Sequence, residues 1–313
     1  MNFALILDRD INQQDFRMPQ LPKIIRTNSS VKHTMTVDIM DEYGDTMTKE
    51  IACEHPLTIY LNWVEIVTVM TLGARPAELV LGYLKNQGFI EDIAAIESVI
   101  IDWDTNSAAV ITRENTDGLE DKLSKKTVTS GCGQGTMFGN VMKKLEGITL
   151  PQPRLRQSKL YGLLEALTHH NATYKAAGAV HGCAVCKDTT ILSFVEDVGR
   201  HNAVDTLAGE MWLKGQTGED KIFYTTGRLT SEMVIKVAQM GIPVLLSRSG
   251  ATQMGYDLAK KLGITMVARA KGNRFQVYNG MANLILDVKG PDAEALAQTA
   301  SQEQSSILIG KSA

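Results

Sequence analysis

The 313-residue chain carries 32 Lys and Arg against 35 Asp and Glu, a formal net charge of -3 at pH 7, and 44% hydrophobic residues. That balance supplies core enough for one large or two moderate domains and gives no chain-wide positive field, so nucleic-acid binding is disfavoured and any anion site must be local. No stretch approaches the roughly 18 apolar residues of a membrane span, and Met1–Leu7 is too short and lacks the basic start of an export signal, so the cytoplasm and no membrane are expected.

Residues 1–30, polar and broken by Pro19 and Pro22, read as an irregular amino-terminal arm. From His33 the pattern alternates over Thr34–Ile39, turns at Tyr43-Gly44-Asp45, and continues in the strand-like runs Leu57–Leu61 and Val64–Met70. Pro76 opens a helix whose Leu79, Val80 and Leu84 share an apolar face, with Gly88 where a terminating glycine is expected. Strands at Ser98–Trp103 and Ala108–Thr112 complete a β-rich lobe over 31–150, and Pro151 and Pro153 mark its boundary. Over 154–280 helices and strands then alternate: a helix near Arg154–His170, strands near Ala179–Val185 and Ile191–Val195, a helix at Arg200–Leu213, and three further strands separated by helices. This is the pattern of a three-layer α/β unit, and 281–313, rich in Ala, Gln and Ser, reads as an extension.

Four cysteines, Cys53, Cys132, Cys183 and Cys186, are too few and too unevenly spaced for a disulfide framework and read as thiols. Cys132 stands among Gly131, Gly133 and Gly135, where the backbone can turn sharply and expose the sulfur, and Lys125, Lys126, Lys143 and Lys144 flank it. Positive charge favours thiolate, the form that attacks and accepts sulfur; the plainer alternative, a small residue in a tight loop, stands level with it on the residues alone. The same glycines miss the spacing of a dinucleotide fingerprint, so a nucleotide-dependent oxidoreductase fits poorly. His181-Gly-Cys183-Ala-Val-Cys186 suggests zinc, but a deaminase centre needs H-x-E before P-C-x-x-C, and strand alternation would turn the two thiols apart. Buried packing and no resident metal are expected.

The densest polar cluster, Glu196–Asp205, lies at a strand end and a helix start, where open α/β sheets bind ligands. Asp197 is placed to cap the helix, and Arg200 with His201 to bind an anion or orient a carboxylate. Thr225–Arg228 and Ser247–Gly250 repeat the arrangement with hydroxyls, guanidinium, glycine and helix-start amides, a set suited to phosphate. Arg269–Arg274 adds three cations around a glycine turn, so an electropositive rim is expected along the strand ends.

From about Ile51 to Tyr278 the chain resembles the formate dehydrogenase accessory sulfurtransferase family. The resemblance is carried by Asp197-Val-Gly-Arg-His-Asn-Ala-Val-Asp205, with Gly178-Ala-Val-His181, Thr226-Gly227-Arg228, Gly241-Ile-Pro243-Val and Arg274-Phe-Gln-Val-Tyr278. It implies a cytidine-deaminase-like α/β fold without the deaminase zinc, and a homodimer. It also implies a sulfurtransferase role: sulfur from a cysteine desulfurase passes to a molybdenum (or tungsten) bis-molybdopterin guanine dinucleotide, bound as substrate, for maturation of formate dehydrogenase. The family's loop carries C-G-x-C; here Cys132-Gly-Gln-Gly135 keeps the first cysteine, implied as the catalytic persulfide carrier, and lacks the second. The family's cofactor-binding stretch maps onto Arg269, Ala270, Lys271, Gly272, Asn273 and Arg274, which join Asp197, Arg200, His201 and Arg228 as expected cofactor contacts. The rival reading is a cofactor-binding chaperone that transfers no sulfur.

Overall fold

In the computed structural model, which describes residues 20–27, 29–114, 145, 147–288 and 290, the alternating runs of the first lobe become seven strands. They are β1 (Lys23–Arg26), β2 (Thr34–Met40), β3 (Thr46–Ala52), β4 (His55–Leu61), β5 (Val64–Thr71), β6 (Ile96–Asp102) and β7 (Ser107–Thr112), with helix α1 (Pro76–Asn86) following β5. Five form one sheet in the order β1-β6-β7-β4-β5, while β2 and β3 pair with each other in a separate ribbon. Within the stretch read as an irregular arm, β1 runs parallel to β6, Lys23 opposite Ser98 through Arg26 opposite Ile101. Four residues after a proline show no readable alternation, and the partner strand supplies the hydrogen bonds that local pattern cannot announce. Cys132 and the lysines of its loop lie outside the described residues.

Helix α1 starts at Pro76, whose ring presets a helical φ, and ends at Asn86, two residues before Gly88. There φ is +74° and the N–H groups of Gly88 and Phe89 donate to the Lys85 and Leu84 carbonyls. One apolar face was expected, yet Pro76, Ala77, Leu79, Val80, Leu81, Tyr83 and Leu84 are all buried. The helix lies between two partners, the five-stranded sheet on one side and a helix of the second lobe on the other.

The second lobe contains β8 (Leu155–Arg156), α2 (Gln157–Leu167), α3 (Ala172–Ala177), β9 (His181–Lys187), β10 (Thr190–Asp197), α4 (Arg200–Leu213), β11 (Ile222–Thr225), α5 (Ser231–Gln239), β12 (Val244–Ser247), α6 (Gln253–Leu262), β13 (Thr265–Lys271), β14 (Arg274–Asn279) and β15 (Leu284–Ile285). Six strands form a mixed sheet in the order β10-β9-β11-β12-β13-β14, in which β11, β12 and β13 are parallel. One face, with Cys183, Val185, Phe223, Leu245 and Met266, packs on α4, α5 and α6. The other, with Ala184, Cys186, Tyr224, Leu246 and Val267, packs on the Leu160–Leu167 stripe of α2. The result is a mixed α/β fold with several sheets, layered helix–sheet–helix in the second lobe.

The two lobes meet where α1 crosses α4. A Cβ added to Gly82 would lie 1.7 Å from the Asp205 carbonyl oxygen, and one added to Gly209 would lie 1.9 Å from that of Glu78. Only glycine lets the two backbones approach so closely. Beside the crossing, Arg75 donates to Glu210 Oε2 at 2.7 Å, to Ser193 Oγ at 3.0 Å and to the Phe194 carbonyl at 3.0 Å. Leu145 and Leu150, before the two prolines, sit in the second lobe's core. Among the described residues no helix is long and apolar enough to cross a membrane.

Candidate functional site

Topology gathers the polar segments at one sheet edge. Because β10 and β11 both run antiparallel to β9, and β12 and β13 run parallel to β11, the carboxyl ends of β10, β11, β12 and β13 share that edge with His181 at the start of β9 and Arg274 at the start of β14. Three successive strand ends there use the same local bond. Asp197 Oδ1 accepts from Gly199 N at 2.9 Å, Thr225 Oγ1 from Gly227 N at 3.0 Å, and Ser247 Oγ from Ser249 N at 2.9 Å. In each case the strand's last side chain bonds the amide two residues on, turning the chain from strand toward helix. Ser247 Oγ also donates to the Gly227 carbonyl at 2.7 Å, which ties two neighbouring turns together.

The polar cluster Glu196–Asp205 divides in two. Glu196 accepts the amides of Thr173 and Tyr174 at 2.8 and 2.9 Å and so caps α3. Asp197 is 3% exposed, and its carboxylate also takes Thr71 Oγ1 at 2.5 Å, Leu72 N at 3.1 Å and Asn202 Nδ2 at 2.9 Å. With both oxygens occupied by internal donors, Asp197 joins the lobes instead of offering a cofactor contact, and α4 begins after Gly199 without a side-chain cap. Asn202 Nδ2 donates to the Met70 carbonyl at 2.6 Å, and Asp205 is fully buried. Arg200 and His201 are the members that face the edge loops.

The stem of Arg200 lies against Gly227, where an added Cβ would meet its Cδ at 3.0 Å. His201 Nε2 is 3.0 Å from Glu232 Oε2 on α5, and His181 Nδ1 is 3.5 Å from Thr226 Oγ1. Burial, then the positive charges of Lys236, Arg200 and Arg228, hold the His201 imidazole far below its ordinary value, at about 2. Burial followed by Arg200 and Arg228 pushes His181 the same way. Both imidazoles are neutral at pH 7, so the positive field here belongs to the guanidinium groups. A histidine lowered in the folded chain takes up its proton only on unfolding. Its contribution is therefore complete above the unfolded value near 6.5 and falls as pH drops, by up to about 1.4 kcal/mol per pH unit. Urea unfolding between pH 6.5 and 4.5 should show this loss, with a slope about one proton shallower in His201→Gln.

Arg269 reaches the edge by an irregularity. The register of β13 against β14 shifts between Ala268 and Lys271, and Arg269 adopts φ +53°, uncommon for a side-chain-bearing residue. Its N–H donates to the Ser249 carbonyl at 2.9 Å, and its guanidinium lies over Gly250. Arg269, Asn273 and Arg274 also line a cleft of about 650 Å³ with Gln157, Tyr161 and Phe275. Lys271 and Gly272 are exposed on the turn between the strands. Ala270 departs from expectation: at 1% exposure its side chain sits in the core beside Val267, since the shifted strand turns it inward.

Cys183 and Cys186 occupy opposite faces of β9, as strand alternation predicted. Burial pushes each thiol up to about 12. Among the described residues no three His, Cys, Asp or Glu side chains gather as metal ligands. Iodoacetamide should therefore label the native chain at no site beyond Cys53 and Cys132, and all four cysteines after unfolding; peptide mass spectrometry decides it. The same preparation should hold no stoichiometric zinc by elemental analysis.

Glu232, Lys236, Thr71 and Asn86 contribute to the site's surroundings and were not singled out from sequence. The matched four-residue spacings of His201 with Asp205 and of Glu232 with Lys236 were the available signal.

Comparison with known proteins agrees with this architecture. The chain is 31% identical over 237 residues to the sulfur carrier protein FdhD of Listeria innocua, covering 75% of this chain and 91% of that one. To the protein of the same name from Geobacillus kaustophilus it is 33% identical over 243 residues, covering 76% and 90%. A crystal structure described as a formate dehydrogenase accessory protein from Desulfotalea psychrophila superposes with a TM-score of 0.65 at 27% identity, covering 80% of this chain and 98% of that one. The FdhD/NarQ family model matches residues 52–285, from the end of β3 through β15 and thus across both lobes and the whole polar edge, and by that match the chain belongs to the FdhD/NarQ family.

Proposed function

We propose that this chain is a sulfurtransferase in formate dehydrogenase maturation. Cys132 takes the terminal sulfur of a persulfide on a cysteine desulfurase and passes it to a molybdenum or tungsten bis-molybdopterin guanine dinucleotide held as substrate. The observation that carries the reading is the sheet edge itself. On a chain of net charge -3, Arg200, Arg228, Arg248 and Arg269 stand beside fixed loop amides and the side-chain-free surfaces of Gly227 and Gly250. Guanidinium groups on fixed, side-chain-free turns suit pyrophosphate. The relatives named as sulfur carriers and the accessory-protein structure supply the reaction class.

The Cys132 thiolate attacks the terminal sulfur, a new S–S bond forms, and the desulfurase leaves as thiolate. On delivery the Cys132 S–S bond breaks, Cys132 leaves as thiolate, and a thiol reductant supplies the two electrons that take sulfane sulfur to sulfide; uptake of the sulfur needs neither oxidant nor reductant. Helices on both faces of a mixed sheet support the deaminase-like reading of the second lobe, while Cys183 and Cys186, turned apart, lack a deaminase ligand geometry. Homodimerisation is supported by the β2–β3 ribbon, one face of which exposes Met35 and Ile39 opposite Ile51 and Met47. The compartment we assign is the cytoplasm.

Intact mass after incubation with a desulfurase and cysteine tests the proposal. Native protein should gain a reducible adduct of about 32 Da, and Cys132→Ala should gain none. An adduct retained by the variant overturns the carrier assignment. No adduct on either protein, with cofactor binding intact, leaves a cofactor chaperone.

A further inference from the structure

His201 and Asp205 stand one turn apart on α4, as Glu232 and Lys236 do on α5. Facing each other, they make two rungs. The first is a close approach without a hydrogen bond, His201 Nε2 lying 3.0 Å from Glu232 Oε2; in the second, Lys236 Nζ donates to Asp205 Oδ2 at 2.6 Å. The first rung sits at the opening turns of both helices, beside Arg200 and Arg228. The second is sealed, with Asp205 at 0% and Lys236 at 4% exposure. A third helix closes it: Asn86 Nδ2 of α1 donates to Asp205 Oδ1 at 2.7 Å, and Gln239 Nε2 of α5 donates to the Asn86 carbonyl at 3.2 Å.

A sealed ion pair is a weak source of net stability, because desolvating two charges offsets most of their attraction and apolar replacements often serve as well. What such a pair does provide is a single geometry. Bonded to Lys236 on α5 and to Asn86 on α1, Asp205 fixes the setting of α4 one helical turn from His201. We infer that Asp205 and Lys236 are positioning residues for His201, setting α4 against α5 so that the imidazole stands close to Glu232 at the cation-lined sheet edge. The inference rests on the proposed anion site for its functional consequence and on the two rungs for its geometry.

The charged and titratable groups facing the imidazole come from every packed element: Lys236 and Glu232 from α5, Arg200 and Asp205 from α4, His181 from β9, Arg228 from the turn after β11, with Tyr83 of α1 behind Asp205. Of the cations, Lys236 acts most strongly to keep His201 neutral. Removing it takes away the strongest of the repulsions that disfavour the protonated ring.

The test is an NMR titration of the His201 imidazole in the full chain, paired with calorimetric titration of guanosine diphosphate. In native protein the ring should not titrate above pH 4. Lys236→Met should bring its midpoint above pH 4 and weaken guanosine diphosphate binding about tenfold, while Lys236→Arg should restore both. A folded Lys236→Met with native His201 titration overturns the inference. Should Lys236→Met not fold, Asp205→Leu combined with Lys236→Met leaves no unpaired charge; it is expected to fold and still show the raised midpoint, and native titration there overturns the inference equally. Absence of guanosine diphosphate binding to native protein would count against the proposed cofactor site, while the titration would still decide the role of Lys236.

Discussion

Gly209→Leu is expected to leave most of the protein unfolded, and Gly209→Ala to destabilise it severely. A Cβ at this position would lie 1.9 Å from the Glu78 carbonyl oxygen, and the reciprocal approach at Gly82 is 1.7 Å from that of Asp205. The obstacles are backbone atoms inside helices, so no side chain can swing away. Relief requires α1 and α4 to separate along their whole contact, which strains the neighbouring bonds from Arg75 to Glu210 and from Thr71 to Asp197. Overpacking alone costs about 1–3 kcal/mol, and lost lobe contacts should bring the total for Gly209→Ala above about 3 kcal/mol, a large part of a typical net stability of about 5–15 kcal/mol. Urea unfolding measures this. An alanine variant within about 1 kcal/mol of native would show that the helices separate easily.

Guanosine diphosphate should bind the native chain, and Arg228→Ala and Arg274→Ala should each weaken it by about 1–3 kcal/mol, roughly five- to more than a hundredfold. The two arginines report on different ends of the edge. Arg228 belongs to the group around His181 and His201, whereas Arg274 lines the cleft with Tyr161 and Phe275. Loss in both variants would place one ligand across both ends. Loss in one alone would confine it to that end. Cys132→Ala should bind as native does, since that thiol is assigned to sulfur and not to the nucleotide. Calorimetric titration separates these results, and unchanged affinity in both arginine variants would leave the edge as solvated surface.

Much of this was legible in the chain because local chemistry and global packing agree there. Helix α4 spans the residues its pattern indicated, and Arg200, His201 and Arg228 reach the edge because β10, β11, β12 and β13 of the mixed sheet point the same way. Three features were not legible. The carboxylate of Asp197 resembles a ligand until Thr71, Leu72 and Asn202, distant or ambiguous in sequence, fill its oxygens. Ala270 lies inside a charged stretch, yet the register shift before Lys271 turns it into the core. The Asp205–Lys236 pair joins helices separated by a strand, and no one-dimensional period records which helix will be the neighbour.

The shared bond at the ends of β10, β11 and β12 also bears on how a ligand is received. Gly199, Gly227 and Ser249 have their amides already committed in the free protein, and Ser247 secures one turn to the next. These turns therefore have little freedom left to lose when an anion settles beside them. Association along this edge should be preorganised: fast, with a small entropic penalty from the protein and little loop rearrangement, so that differences among ligands emerge in how quickly they leave.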